Sequence, residues 1–206
     1  MHARSTTIEA ALSCVDAGIA YVRDEAMPVL QAVDGYVGVS LLVDREGGRC
    51  IATTAWDSAE AMLASEPLVA PIRARMAEVF GGPATVEEWE IAAVHRDHHS
   101  HEGACVRATW LQVAVGQADH CVEFYRASGL PPVTQFDGFC SASLLIDRAS
   151  GRAVTSVAFD SREAMDRARE QARSLRVARL QELGADLVGV GEFELALARL
   201  GVSDIA

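Results

Sequence analysis

The stretch GYVGVSLLVDREGGRCIATTAWDSAEAM, residues 35–62, returns as GFCSASLLIDRASGRAVTSVAFDSREAM at residues 138–165. The two align without a gap at an offset of 103, with 14 of 28 positions identical, which marks a duplicated domain rather than a shared local motif. The register runs back through Asp16/Asp119, Arg23/Arg126 and Pro28/Pro131, and forward to Gly81/Gly184. It then slips by one residue, so that EEWEIA from Glu87 meets GEFELA from Gly191. The 206 residues divide into a first repeat over 1–95, a His-rich linker over 96–103 and a second repeat over 104–206.

Each repeat predicts the same element order. A β-branched stretch at 4–11, or 107–114, reads as a strand. A helix opened by Asp16 or Asp119 follows, bent or ended at Pro28 or Pro131. Strands at 36–44 and 49–56, or 139–147 and 152–159, flank a hairpin in which Gly48 or Gly151 supplies positive φ. Asp57-x-x-Glu60 and Asp160-x-x-Glu163 have capping-box spacing and open a second helix, which ends near Gly81 or Gly184. A last strand covers 85–94 or 189–198. This β-α-β-β-α-β order is the ferredoxin-like split unit, with helices on one face of its sheet. The strand Val37 to Val43 has no polar face, and neither has Cys140 to Ile146, so both faces of each sheet are expected to be covered. Two copies in one chain can cover each other's open face. The expected fold is α+β: two fused ferredoxin-like units forming an intrachain pseudo-dimeric α+β barrel. A further homodimer stays open.

Composition narrows the chemistry. Eighteen basic residues face 29 acidic ones, a net charge of −11 that speaks against nucleic acid and anionic membranes. Every basic residue is Arg, which excludes lysine Schiff-base chemistry, and the chain contains no Asn. No apolar run is long enough to span a bilayer, and the N-terminus lacks the pattern of a signal peptide. Cys14, Cys50, Cys105, Cys121 and Cys140 are odd in number and without CxxC spacing, which fits a reducing cytoplasm. A phosphate loop and a nucleophile elbow are both missing, so no nucleotide cofactor is expected.

The element order, the repeat length and the segment Trp56-Asp57-Ser58-x-Glu60-Ala61-Met62, matched by Phe159-Asp160-Ser161-x-Glu163-Ala164-Met165, resemble antibiotic biosynthesis monooxygenase-like domains of the dimeric α+β barrel superfamily. The resemblance covers residues 3–95 and 105–199. It implies a pocket between helices and sheet in each unit, and oxygenation of aromatic substrates without metal or flavin, the substrate supplying the electrons. The heme-degrading branch relies on an Asn, a Trp and a His from the second helix. Trp56 fills the Trp place, but the chain has no Asn and neither second helix (58–80, 161–183) has a His, which speaks against that activity.

Candidate binding residues are those placed near such a pocket, or differing between copies. Trp56, at a strand end before a helix, is either an aromatic wall or a hydrophobic staple. Trp110 stands opposite Thr7 in the alignment, His120 opposite Ala17 and Tyr125 opposite Val22. With Arg126 they form a set able to bind or protonate an aromatic or oxyanionic ligand. His120 and Tyr125 lie about 140° apart on a helix, so they cannot both face one pocket. Arg23 and Arg126 are candidate anchors for an anionic group or else surface ion pairs. Arg45, Arg49, Arg148 and Arg152 are expected to neutralise Asp44 and Asp147. Trp89 and Phe193 read as core, and the flanking Glu88, Glu90, Glu192 and Glu194 as rim or interior polar groups. The run His95-Arg-Asp-His98-His99-Ser-His101-Glu102 reads as a solvated linker rather than a metal site. Catalytic residues stay unassigned. Two functions follow: cofactor-independent monooxygenase-like action on a small aromatic or quinol-type molecule, or non-catalytic small-molecule binding on the same scaffold.

Overall fold

The computed structural model describes residues 1–100 and 103–200, so His101, Glu102 and the last six residues lie outside the described residues. The chain forms two compact units, residues 1–89 with 194–200, and residues 90–193. The division falls inside the last strand of each repeat, not at the linker. Each of these strands begins in the sheet of its own copy and ends in the sheet of the other.

The first unit is built from β1 (His2–Glu9), α1 (Val15–Tyr21), α2 (Met27–Leu30), β2 (Tyr36–Val43), β3 (Arg49–Trp56), α3 (Ala59–Ala64) and α4 (Glu66–Phe80), then the start of β4 (Ala84–Arg96). The second repeats the order with β5 (Cys105–Gln112), α5 (Ala118–Phe124), α6 (Leu130–Val133), β6 (Phe139–Asp147), β7 (Arg152–Phe159), α7 (Arg162–Arg167), α8 (Arg169–Leu183) and the start of β8 (Asp186–Leu200). In the first sheet His2 pairs with Trp56 and Glu9 with Arg49; in the second Cys105 pairs with Phe159 and Gln112 with Arg152. The ends of the long strands complete each sheet, Glu194 opposite Val43 and Glu90 opposite Ile146. The hydrogen-bonded order β1-β3-β2-β8-β5-β7-β6-β4 is closed: the α+β barrel order of two fused ferredoxin-like units.

Four local departures from the sequence expectation have physical causes. The first strand of each copy begins two residues earlier than expected, because its pairing partner is hydrogen-bonded as far as Trp56 or Phe159. Ser58 and Ser161, not Asp57 and Asp160, cap the second helices: each is extended, and its Oγ accepts from the backbone N–H three residues on, at 3.0 and 3.2 Å. The second helix is broken at Ser65 and at Ala168. In the first unit Pro67 sits at the start of α4, where it lacks the donor needed to continue α3. Pro28 and Pro131 bend the first helix rather than ending it. A π turn over Val22–Ala26 or Tyr125–Gly129 sends the Met27 N–H to the Val22 carbonyl and the Leu130 N–H to the Tyr125 carbonyl. The expected helix ends do stand: Gly81 and Gly184 are left-handed, at φ 72° and 67°.

The ion pairs also repeat, and the expectation holds in part: the Asp147 carboxyl is held down first by the Ser150 hydrogen bond and, among smaller causes, by the Arg152 charge. Asp44 is occupied by the Glu46 and Gly47 N–H groups, at 2.9 Å each. Arg45 instead bridges Asp16 and Glu194, and Arg148 bridges Asp119 and Glu90. Trp89 and Phe193 are core, as read, and the Trp89 indole donates to Ser5 Oγ at 2.9 Å. Among the described residues no helix is long and apolar enough to cross a membrane.

Candidate functional site

A cavity of about 120 Å³ lies within the second unit, between the sheet of β5, β6 and β7 and the helices α5 and α8. Its apolar wall includes Phe124, Phe136, Phe159, Leu144, Leu175 and Leu183. Its polar groups are Arg107 and Thr109 from β5, Thr155 from β7, Cys121 and Tyr125 at the π-turned helix, and Arg176 and Arg179 from α8. Spacing explains the last pair: three residues apart on a helix, they share a face. No carboxylate or imidazole is among the lining residues. The polar groups are thus almost all donors.

Four of those donors are buried without a hydrogen-bond partner: Arg107 Nη1, Tyr125 Oη, Arg176 Nε and Arg179 Nε. Arg107 and Tyr125 are only 6% and 8% exposed, so water does not readily compensate them. Arg107 is otherwise held firmly. Its Nε and Nη2 donate to Glu192 Oε1 at 3.0 and 2.9 Å, Nη2 also to the Met165 carbonyl at 2.9 Å, and its guanidinium lies over the Phe159 ring at 5.7 Å. Burial pushes the Tyr125 phenol above the ordinary tyrosine range, so it stays a donor at neutral pH. Burial likewise holds the Cys121 thiol up at about 11, as a neutral group. The Arg176 guanidinium is lowered, by burial first and then by the Arg107 and Arg173 charges.

In the first unit the corresponding positions hold different, buried side chains. At the aligned positions Phe80 replaces Leu183, Val69 replaces Ala172, Trp56 replaces Phe159 and Met76 replaces Arg179, and all four are buried. Gly18, aligned with Cys121, makes room for Phe80: a Cβ there would lie 2.3 Å from the ring. The second unit is smaller at Leu183, Ala172 and Phe159 and larger at Cys121, Tyr125 and Arg179, so the two units line the region differently.

Of the six residues singled out from sequence, Tyr125 lines the cavity and the other five do not. Trp56 is fully buried in the first unit, its indole donating to Thr54 Oγ1 at 3.0 Å and its ring edge-on to Tyr36. Trp110 packs edge-on against Phe193 at 6.3 Å. Arg23 is exposed and paired with Asp24, Arg126 donates to the Ala92 carbonyl, and His120 is exposed beside Phe124. Sequence reading missed Arg107, Arg176 and Arg179. The signal was there: Arg4/Arg107 and Arg73/Arg176 recur at the same offset of 103.

The histidine run is less free than a solvated linker. His95 stacks on Phe139 at 6.1 Å, and His98 Nε2 lies 2.8 Å from Asp160 Oδ1. The Cys140 thiol donates to the same oxygen at 3.1 Å, and burial with Asp160 pushes it up to about 12. The three ligand atoms lie within 4.8 Å of one another. Nitrogen, sulfur and oxygen donors of this kind suit a zinc-like ion, but here they satisfy one another with the thiol protonated.

No family model matches the chain. Among solved structures it is similar over 99% of its length to a candidate monooxygenase from Fusobacterium nucleatum, covering 96% of that chain, with a TM-score of 0.73 and 9% identity. It is similar over its whole length to an anthrone oxidase-like protein, covering 95% of that chain, with a TM-score of 0.63 and 15% identity. At such identities the likeness establishes the fold alone, the monooxygenase-like ferredoxin fold anticipated from the repeat. Two Mycobacterium tuberculosis proteins, the uncharacterized proteins Rv2557 and Rv2558, are each 59% identical over 100% of this chain, covering 92% and 87% of their own lengths. The chain belongs to the family of Rv2557 and Rv2558.

Proposed function

We propose that the second unit binds one small aromatic molecule of phenol or quinol type, and that the protein acts on it as a cofactor-independent monooxygenase. The observation that carries this reading is the cavity of the second unit, with its phenylalanine wall and its donors that lack a partner. At about 120 Å³ it is close to the roughly 150 Å³ of an engineered apolar cavity known to admit benzene, so it suits a single ring. Phe124, Phe136 and Phe159 offer apolar and edge-on contacts to such a ring. The fold shared with a candidate monooxygenase and an anthrone oxidase-like protein supports the reaction class.

The chemistry balances with substrate and oxygen alone. A phenol with a free para position gives up four electrons to O2. One oxygen atom becomes the new ring carbonyl, the other leaves as water, and the product is a para-quinone. The contribution of this chain is electrostatic: the guanidinium groups that line the cavity favour an anionic substrate over a neutral one. A second reading, binding without chemistry, is favoured by one observation: no carboxylate or imidazole lines the cavity to take the phenol proton.

Calorimetric titration with phenol, whose para position is free, alongside an oxygen electrode, separates the two. Saturable binding with oxygen uptake and quinone release is the expected result. Binding without uptake would leave the non-catalytic reading, and absence of binding would overturn both.

A further inference from the structure

The first unit shows what the arginines of the second unit are missing. There, Arg4 Nη1 donates to Ser65 Oγ at 3.3 Å and lies 3.1 Å from Glu66 Oε2. The other Glu66 oxygen accepts from Arg73 Nη2 at 2.5 Å. One carboxylate thus joins the strand arginine to the helix arginine. The other side-chain hydrogen bonds of Arg4 recur in the second unit: Glu88 corresponds to Glu192, and the Met62 carbonyl to that of Met165.

The two partners of Arg4 Nη1 do not recur. Ser65 is replaced by Ala168, and Glu66 by Arg169, a reversal of sign. Arg169 turns to Asp166 and Glu192 instead. Arg107 Nη1 and Arg176 Nε are left buried and unpartnered at the cavity, and Arg176 makes no ion pair among the described residues. The surrounding charge has moved the same way. The second helical segment of the first unit, α3 with α4, carries Arg73 and Arg75, whereas α7 with α8 carries Arg162, Arg167, Arg169, Arg173, Arg176 and Arg179.

We propose that the cavity takes an aromatic carboxylate, whose charged group occupies, between Arg107 Nη1 and Arg176, the place that the Glu66 carboxylate holds in the first unit. The ligand supplies in trans the anion that the first unit supplies in cis. A planar carboxylate has two acceptor oxygens, one for each guanidinium group, as Glu66 has for Arg4 and Arg73, and hydrogen bonds between two charged groups are stronger than neutral ones. This inference rests on the reading of the cavity as a site for a small aromatic molecule, and adds the charge of its occupant.

Two probes of one shape, 4-hydroxybenzoate and neutral 4-methylphenol, test it by calorimetric titration of the full chain. The acid is expected to bind at least about tenfold more tightly. Arg169→Glu, which restores an internal carboxylate, is expected to weaken the acid about tenfold or more while leaving 4-methylphenol within about twofold. Should that variant not fold, Ala168→Ser, which restores the hydroxyl that meets Arg4 Nη1 in the first unit, is expected to weaken the acid several-fold and leave 4-methylphenol within about twofold. Equal binding of the two probes, or an equal loss of both in the variants, would overturn the carboxylate clamp while leaving the aromatic cavity standing. Binding of 4-methylphenol alone would likewise overturn the clamp and leave the cavity, and failure of both probes to bind the unaltered protein would remove cavity and clamp together.

Discussion

Tyr125 carries a buried hydroxyl with no partner, a state that costs stability in the free protein and has value only when a ligand accepts from it. Tyr125→Phe is therefore expected to stabilise the free protein by about 1 kcal/mol, a rise in Tm of roughly 2–4 °C by scanning calorimetry. The same variant should bind 4-hydroxybenzoate several-fold more weakly. A fall in Tm would mean that the hydroxyl is satisfied in solution. Glu66 tells the complementary story. The Arg73 hydrogen bond holds its carboxyl below the ordinary glutamate range. A folded value below the unfolded one means that the pair stabilises fully above the unfolded value, near 4.3, and is lost as pH falls through the lowered folded value. Glu66→Gln should therefore cost about 1 kcal/mol at neutral pH, a modest figure because Glu66 is 46% exposed. The unfolding curves of wild type and variant should converge in acid. A difference independent of pH would assign the loss to packing instead of charge.

Among the elements, the π turn of the second unit does most to shape the cavity. It places Tyr125 at its first position and Gly129 at its last, and both line the space. A Cβ on Gly129 would lie 3.0 Å from Tyr125 Cδ2, so the ring would have to shift. The aligned residue of the first unit is Ala26, and there Val22 stands in the place of Tyr125. Gly129→Ala should weaken ligand binding several-fold with a change in Tm of less than about 2 °C, since it adds one methyl group to a helix. At this scale the sequence was informative about spans and silent about joints. The hairpin strands 49–56 and 152–159 were legible because β-branched residues and a glycine turn bound them on both sides. The π turn was not legible, because Pro28 and Pro131 signal only a missing donor, and a bend and a helix end share that signal. The arginine cluster was hidden for a related reason. An arginine on a strand or a helix reads as surface until its partners are known, and the partners of Arg107 lie 58 and 85 residues away. Tyr125 was legible because the copies disagree there, and the same comparison at Glu66 and Arg169 marks the site most sharply.

Across the whole chain, duplication has left two copies of one frame that differ in charge and in the side chains around it. The first copy, residues 1–103, holds seven arginines and 16 acidic residues; the second, 104–206, holds 11 and 13. The excess of arginine in the second copy gathers on α7 and α8, above the cavity. In the first copy the same region holds Phe80, Met76 and Trp56 and the ion pairs of Glu66. Filling the second cavity with the aligned residues of the first unit, Leu183→Phe and Ala172→Val, should abolish binding in calorimetry while leaving Tm unchanged or higher, since the added groups enter empty space. A loss of stability would show that the space is needed for packing. The most direct measurement is the stoichiometry of 4-hydroxybenzoate binding to the full chain by titration calorimetry. One molecule per chain, lost in Arg169→Glu and retained in Glu66→Gln, is the result that an open second unit and a self-paired first unit predict. Two molecules per chain, none, or a single site abolished by Glu66→Gln would contradict it.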